Sequence, residues 1–154
     1  MKILVLDDSM MRHAFFKMGF AEAQLVPALT ARQAVDLLRA EAFDAVFLDH
    51  DLEGSGPECG DGRDVTTAIR AMVDSGEYLS ANAVHCVHSF NDEYGPIMCG
   101  HLSKAGLNVR RCVNAWRERR AMAELVHCGT WSFPHREVVD ALATSQGRPD
   151  EDDE

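Results

Sequence analysis

Residues 3–8, with the sequence Ile-Leu-Val-Leu-Asp-Asp, decide how this chain is expected to fold. Four consecutive apolar residues predict a short strand that is buried on both faces, as strands of a parallel sheet are. Two acids follow directly at the carboxyl end of that strand. Residues 43–51, Phe-Asp-Ala-Val-Phe-Leu-Asp-His-Asp, show the same arrangement, with an apolar run that ends in acids and a histidine. The chain therefore repeats a buried strand that places acidic side chains at its carboxyl end.

Segments of strand type alternate with helical patterns along the chain. We expect strands at residues 3–6, 24–29, 43–48, 83–87 and 107–113. We expect helices after the cap residues Ser9 and Thr30 and over residues 64–74. A further helix is expected from Asn91 or Asp92 to Lys104, where Gly106 stops it. This alternation predicts an α/β fold, a doubly wound five-stranded parallel sheet with helices on both faces. A last main helix is predicted at residues 116–126, and a short helix at residues 135–143 is expected to form a short C-terminal helical extension.

The composition is that of one globular domain. The chain has 154 residues, of which 46% are apolar, and this is enough to build a single core. It has no run of about 20 apolar residues that could cross a bilayer, no secretory signal before the acidic pair and no C-x-x-C among its five cysteines. We therefore expect a cytoplasmic protein with no membrane partner. The domain is expected to span residues 1–145, and residues 146–154 are expected to form a disordered acidic tail.

The net charge bears on the kind of partner. The formal net charge is −10, of which residues 148–154, with one base and five acids, contribute −4 and leave −6 for the rest. An acidic body argues against an extended groove for duplex nucleic acid. It is compatible with a small phosphate-bearing ligand that is bound through a metal. The basic segment from Lys104 to Arg120 is expected to be a solvated helix face or, alternatively, a patch that contacts phosphate.

Acidic side chains are expected to meet at one edge of the sheet. Asp7 and Asp8 follow the first strand and Asp49 follows the third, and ligands of doubly wound sheets bind at the carboxyl ends of the strands. Converging carboxylates repel one another unless a cation neutralises them, and such oxygen ligands suit Mg²⁺ or Mn²⁺. Acids that only cap the following segments would explain one acid per strand but not this set. We therefore expect a metal site at Asp7, Asp8 and Asp49.

These residues resemble the receiver domains of bacterial response regulators. The likeness covers roughly residues 1–127 and implies the flavodoxin-like strand order 2-1-3-4-5. It also implies that Asp7 and Asp8 bind Mg²⁺ and that Asp49 is the phosphoacceptor. Ser89, which follows the fourth strand, would then contact the phosphoryl group.

Two features distinguish this chain from a receiver that relays phosphate. Residues 107–114, where a receiver normally has a lysine, offer only arginines as bases. The strings Leu-Asp-His-Asp-Leu at residues 48–52 and His-Ser-x-Asn-x-x-x-Gly-x-x-Met at residues 88–98 resemble the cyclic-phosphate processing receiver family. That resemblance implies an enzyme that acts on a cyclic phosphate, in a nucleotide or at an RNA end.

Two histidines could supply the proton transfers that opening a cyclic phosphodiester requires. A histidine near neutral pH can activate the attacking water or protonate the leaving oxygen. Because the third and fourth strands are expected to be neighbours, we expect His50 and His88 to lie close together as catalytic residues, beside Asp49 and the metal. Each histidine could instead be structural or, for His50, a metal ligand. Which histidine is acid and which is base is left open.

The other polar residues at these strand ends are expected to bind the substrate. Asp51 is expected to orient His50, and Ser89 and Asn91 are expected to donate hydrogen bonds to phosphate oxygens. The expected partner is a phosphate-bearing small molecule or an RNA end, and the expected activity is that of a metal-assisted phosphoesterase.

Other functions stay open on the sequence alone. The chain could be a signalling receiver with Asp49 as phosphoacceptor, or a catalytically silent binding module that uses the bases at residues 117–120. A zinc site made of histidines and cysteines is less favoured, because their spacings match no compact zinc-ligand pattern.

Overall fold

The computed structural model describes residues 1–52 and 60–111 of the chain. The described strands are β1 (Lys2–Leu6), β2 (Gln24–Ala28), β3 (Ala45–Leu48), β4 (Val84–Val87) and β5 (Asn108–Arg111). They form one parallel sheet with the order β2-β1-β3-β4-β5. The doubly wound parallel sheet and its expected strand order are therefore confirmed.

Four helices complete the part of the chain that the structure describes. They are α1 (Met10–Gly19), α2 (Ala31–Ala40), α3 (Gly62–Asp74) and α4 (Tyr94–Lys104). The hydroxyls of Ser9 and Thr30 each accept a hydrogen bond from a first-turn backbone N–H, as expected of helix caps. Helix α3 begins two residues earlier than expected because Asp61 and Asp64 form a capping box. Gly106, with a φ of 78°, follows α4 at the expected place.

Several expectations concern residues outside the described ranges. The predicted helices at residues 116–126 and 135–143, the acidic tail at residues 146–154 and the bases at residues 117–120 lie there. The domain boundary at residue 145 and the last two residues of the predicted fifth strand lie there as well. Among the described helices, none has the length and hydropathy needed to span a bilayer.

Strand side chains alternate between the two faces of the sheet and bury two apolar clusters. On one face Leu48 and Val87 pack with residues of α2, α3 and α4. On the other face Phe47 and Cys86 pack with Phe16 of α1. Because this alternation continues past the strand ends, consecutive residues after a strand are directed to different sides of the sheet. The alternation therefore decides which polar side chains can meet.

Candidate functional site

The carboxyl ends of β1 and β3 bring two acids together in the protein interior. The two strands pair, and the Asp49 N–H donates to the last carbonyl of β1 (3.0 Å), so Asp49 lies beside Asp7. The Asp7 side chain is fully buried and that of Asp49 is 3% exposed. Asp8 lies nearer the rim, with 13% of its side chain exposed. We call these three acids, together with Arg12 and His88, the carboxylate cluster.

Arg12 of α1 is the cation that holds the three carboxylates. Its Nε lies 3.0 Å from Asp7 Oδ1, its Nη2 lies 3.1 Å from Asp8 Oδ1, and its Nη1 lies 2.9 Å from Asp49 Oδ2. Arg12 was not among the residues expected from the sequence, although its position four residues after Asp8 was a usable signal. Long helical side chains point towards the helix N-terminus, so an arginine one turn into α1 faces the acids that precede the helix.

His88 completes the carboxylate cluster from the α1 side of the sheet. It is fully buried, and its ring packs against Phe16 and Phe47, with ring centroids 5.3 Å and 6.3 Å away. Its Nε2 lies 3.3 Å from the carbonyl oxygen of Leu6, and its Nδ1 lies 3.9 Å from Asp7 Oδ2. Both His88 Nδ1 and Asp7 Oδ2 are buried without a hydrogen-bond partner among the described residues. Two polar atoms that face each other are thus left unsatisfied.

Burial changes the ionisation of both groups. It lowers the pKa of His88 to about 4, so the imidazole is neutral at pH 7. It raises the pKa of Asp7 to about 7, although the hydrogen bond from the Ser9 N–H and the charge of Arg12 act in the opposite direction. The cluster therefore holds a neutral imidazole opposite a carboxyl group whose ionised form is disfavoured by desolvation.

The donor atoms of the cluster fit a divalent cation. Asp7, Asp49 and His88 each offer one ligand atom, and these atoms lie within 4.8 Å of one another. The unsatisfied Oδ2 of Asp7 is one such atom that no protein group uses. Asp8, the third ligand expected from the sequence, is held by Arg12 and lies outside this group. Asp7, Asp8 and Asp49 do converge as expected, but the structure groups two of them with a histidine.

His50 lies on the opposite side of the sheet, towards α3 and α4. Its ring stacks on Tyr94 with centroids 4.5 Å apart and an interplanar angle of 12°. Its Nδ1 lies 2.7 Å from Asp51 Oδ1, and its Nε2 lies 3.5 Å from Asp61 Oδ2. The imidazole is therefore placed between two carboxylates, and Asp51 makes the hydrogen bond that an orienting role requires. We call His50, Asp51, Asp61, Asn91 and Tyr94 the His50 cluster.

Asn91 and Ser89 are held in place by hydrogen bonds within the loop that follows β4. The Asn91 Nδ2 donates to Asp51 Oδ1 (3.2 Å), and the Asn91 Oδ1 accepts from two backbone N–H groups at the start of α4. Ser89 is fully buried, and its Oγ accepts from the Asn91 N–H (3.2 Å). The helix begins at Tyr94, later than expected, and its N-cap residue is Glu93, so the Asn91 side chain stabilises the turn that leads into α4.

The two histidines are not placed together, which corrects the expectation from the sequence. His88 contacts aromatic rings of the α1 side, whereas His50 contacts Tyr94 of α4. The pairing of β3 with β4 explains the separation, because Leu48 lies opposite Val87. The next residue of each strand continues this register, so His88 shares its side with Asp49 rather than with His50.

Asp61 and Arg63, at the start of α3, were also missed in the sequence. The Arg63 Nη2 donates to Asp61 Oδ2 (2.8 Å), and the Arg63 guanidinium lies 4.2 Å from the centroid of the Tyr94 ring. Burial opposes the ionisation of Asp61, but the hydrogen bonds from Arg63 outweigh it and lower the pKa of Asp61. Asp61 is therefore negatively charged beside His50. No local sequence signal links it to residue 50, because the contact depends on where α3 begins.

The chain matches one protein family over most of the described residues. Residues 2–104 match the family described as the cyclic-phosphate processing receiver domain. Among curated proteins no match is found.

Solved structures with a similar fold include response regulators. TrrA from Thermotoga maritima, in complex with Mg²⁺ and BeF, has a TM-score of 0.56 and 18% identity, over 82% of this chain and 96% of that chain. A response regulator from Burkholderia pseudomallei, with a phosphorylated aspartic acid, calcium and citrate, has a TM-score of 0.54 and 17% identity, over 83% and 72%. The N-terminal domain of a response regulator/sensory box/GGDEF protein from Carboxydothermus hydrogenoformans has a TM-score of 0.57 and 17% identity, over 94% and 98%. At these identities the likeness establishes the fold.

Proposed function

The chain belongs to the cyclic-phosphate processing receiver domain family, and on this basis we propose that it is a metal-assisted phosphoesterase that opens a cyclic phosphate. The proposed substrate is a 2′,3′-cyclic nucleotide or an RNA end that carries such a group. The observation that carries the proposal is the hydrogen bond between His50 and Asp51, at the same edge of the sheet as the carboxylate cluster and on its other side.

His50 and Asp51 have the geometry of a general acid or base with its orienting partner. The hydrogen bond of 2.7 Å holds the Nδ1 proton on the Asp51 side, and Nε2, which is buried and has no hydrogen-bond partner among the described residues, is the atom proposed to exchange a proton with the substrate. The backbone N–H of His50 donates to Asp49 Oδ1 (2.7 Å), so the backbone of His50 is tied to the carboxylate cluster while its ring lies on the other side of the sheet. Asp61, 3.5 Å from Nε2, stabilises the imidazolium that forms when this atom takes up a proton.

The carboxylate cluster provides the electrostatic half of the proposed site. Asp7 and Asp49 would hold Mg²⁺ or Mn²⁺, whose positive charge would polarise the phosphate. Arg12 of α1 contacts Asp49 Oδ2 at 2.9 Å, and it is proposed to supply the positive charge that a lysine after the fifth strand would supply in a receiver. A guanidinium binds two phosphate oxygens through its planar fork, and Arg12 is therefore proposed to hold the substrate phosphate.

Nε2 of His50 is proposed to carry out both proton transfers of the reaction. As a base, this atom takes the proton of the attacking water; as an acid, it returns a proton to the ribose oxygen that leaves phosphorus. Ser89 and Asn91 are proposed to position the phosphate, since both lie in the loop that joins the two clusters. His88 is fully buried, and no proton transfer is proposed for it.

The direct test is turnover by the purified chain. The 2′,3′-cyclic and 3′,5′-cyclic nucleotides are supplied with Mg²⁺ or Mn²⁺, and the linear monophosphate is separated and measured. We expect His50→Gln to lower kcat by about 10²- to 10⁴-fold, the usual contribution of a general acid or base. His101→Gln is the matched control, because His101 bonds to Thr66 between α3 and α4. Lack of turnover of every cyclic phosphate by the unmodified chain, or full activity of His50→Gln, would contradict the proposal.

A second candidate function is phosphoacceptance by Asp49. Two of the similar structures contain a phosphorylated aspartic acid or a complex with Mg²⁺ and BeF, and Asp49 here carries a cationic partner in Arg12. Incubation with acetyl phosphate followed by intact-mass measurement distinguishes the two functions. One added phosphoryl group that is absent in Asp49→Asn would favour the receiver, whereas an unchanged mass would favour the phosphoesterase.

A further inference from the structure

We propose that His88 is a nitrogen ligand of the cation site, which therefore prefers a first-row transition ion to Mg²⁺. The ligand atoms are His88 Nδ1, Asp7 Oδ2 and one carboxylate oxygen of Asp49. This inference shares with the proposed function only the assumption that the carboxylate cluster binds a divalent cation. Turnover of a cyclic phosphate plays no part in it.

The tautomer of His88 follows from its hydrogen bond. The Leu6 carbonyl, 3.3 Å from Nε2, can only accept, so Nε2 must carry the proton. A neutral ring then presents a lone pair at Nδ1, and this atom faces Asp7 Oδ2 at 3.9 Å. Neither atom has a hydrogen-bond partner among the described residues, and both are buried. When Asp7 is ionised, two acceptors face each other in the interior and repel, and a cation between them would remove the repulsion.

His85 shows that burial in β4 does not by itself leave an imidazole unsatisfied. It lies three residues before His88 and is equally buried. Its Nε2 lies 2.7 Å from the Tyr78 hydroxyl, and its Nδ1 lies 3.3 Å from the Asn108 carbonyl oxygen. Buried polar side-chain atoms nearly always find such partners. The unsatisfied Nδ1 of His88 is therefore a feature that needs an explanation, and a metal ion provides it.

The geometry around His88 is compatible with ligation. Bonds of about 2.0–2.2 Å from an ion to nitrogen and to oxygen can together span the 3.9 Å between His88 Nδ1 and Asp7 Oδ2. Asp7 is held by Arg12 through the other oxygen, Oδ1, so the proposed ligand atom is not the one that the guanidinium contacts. Metal-bound histidines usually donate their second ring N–H to a backbone carbonyl or a carboxylate, as His88 does.

The nitrogen ligand sets the class of ion. Mg²⁺ is bound mainly by carboxylates, carbonyls and water, whereas imidazole suits transition ions. The rings of Phe16 and Phe47 pack on His88 and keep its Nδ1 directed at Asp7. The preference of the site for a transition ion would therefore come from the fixed Nδ1 of His88, since the other two ligands are carboxylate oxygens.

The test measures metal binding and does not depend on activity. The full chain is freed of metal with a chelator, titrated with Mn²⁺ and with Mg²⁺ by calorimetry, and then examined with Mn²⁺ by pulsed electron paramagnetic resonance. We expect tighter binding of Mn²⁺ than of Mg²⁺ and a nitrogen coupling from a directly bound imidazole. In His88→Asn we expect the coupling to disappear and the Mn²⁺ affinity to fall at least about tenfold.

Control variants separate this site from other nitrogen donors. His101→Asn should keep both the coupling and the affinity, and Asp7→Asn should lose both. Absence of nitrogen coupling in the unmodified chain, or a coupling that persists in His88→Asn, would overturn the proposal, and the first of these needs no variant to fold. If cyclic phosphates are not turned over while the coupling is present, the proposed function fails and the ligand assignment stands.

Discussion

Asp49 and His50 are adjacent in the chain, but their side chains lie on opposite sides of the sheet in different surroundings. Asp49 enters the carboxylate cluster on the α1 side, where Asp7 and His88 are fully buried and two of their polar atoms have no hydrogen-bond partner within residues 1–52 and 60–111. His50, the next residue, enters the His50 cluster, where carboxylates flank its ring and Asp51 is 54% exposed. One side thus holds buried ligand atoms for a cation, and the other holds an imidazole between carboxylates, whose Nε2 is itself buried without a hydrogen-bond partner among the described residues. Under the proposed function, charge stabilisation and proton exchange would therefore fall on different sides of the sheet.

The largest expected effect tests whether the α1 side depends on its internal cation. Arg12→Met leaves the buried Asp7 and Asp49 without their guanidinium, and we expect a loss of about 3–5 kcal/mol of unfolding free energy in the absence of metal. Urea denaturation in the presence of a chelator measures it. Arg32→Met is the control, because its pair with Asp36 is exposed and is worth less than about 1 kcal/mol. An equal loss in both variants would contradict the difference between the two sides.

The second prediction concerns His85, a buried histidine whose two ring nitrogens both have hydrogen-bond partners. It measures the effect of burial on a histidine without that of an unsatisfied ring nitrogen. Burial lowers the pKa of His85 to about 4, so the unfolded chain takes up a proton below its ordinary value of 6.5 before the folded chain does. Stability is therefore lost as pH falls from 6.5 towards 4, by about 3 kcal/mol for this group.

Comparing the unmodified chain with His85→Gln separates the contribution of His85 to the pH dependence of stability from that of the acidic residues. Urea denaturation at several pH values should show a smaller loss in His85→Gln than in the unmodified chain. Parallel pH curves for the two proteins would mean that His85 is protonated in the folded state, and its burial would then not count as a matched reference for His88.

The third prediction concerns how closely α3 approaches the His50 side. A Cβ at Gly62 would lie 2.2 Å from the Asp49 carbonyl oxygen and 2.8 Å from His50 Cα. Gly62→Ala therefore has to move the start of α3 away from β3, and we expect a cost of about 1–3 kcal/mol. Gly100→Ala in α4 meets nothing within 4 Å and should stabilise by about 0.5–1 kcal/mol. Thermal unfolding that ranks the two substitutions in the reverse order would contradict this packing.

The smallest expected effect on stability has the most specific readout. Asp51→Asn changes an exposed carboxylate, so unfolding free energy should change by less than about 0.5 kcal/mol. The hydrogen bond that holds the Nδ1 proton of His50 is weakened, and the imidazole ¹⁵N shifts should show a changed tautomer population. Asp36→Asn on α2 should leave these shifts unchanged. If Asp51→Asn also leaves them unchanged, Asp51 does not orient His50.

Much of the fold was predictable because the relevant signals are local. Apolar runs of four residues mark β1 and β3, and the hydroxyls of Ser9 and Thr30 mark the starts of α1 and α2. The strand order came from resemblance to a family and is confirmed by the pairing. The convergence of Asp7, Asp8 and Asp49 also followed, since parallel strands end at one edge.

The arrangement of the two histidines was not predictable in the same way. Adjacent strands suggested that His50 and His88 would meet, but the register of β3 against β4 places Asp49 opposite His88. A shift of one residue in that register would exchange the neighbours of both rings. The position of α3, which brings Asp61 to His50, depends on packing at Gly62 and leaves no trace in the local pattern.

The sequence by itself determined a parallel sheet with acids at its carboxyl edge, because periodicity and strand-terminal residues act over a few positions. Only the tertiary structure decided that Arg12 neutralises those acids, that His88 faces them and that His50 lies across the sheet between Asp51 and Asp61. The physical reason is that strand register and helix placement are set by the packing of the whole core. A shift of the strand register by one residue would move each side chain of that strand to the opposite face of the sheet.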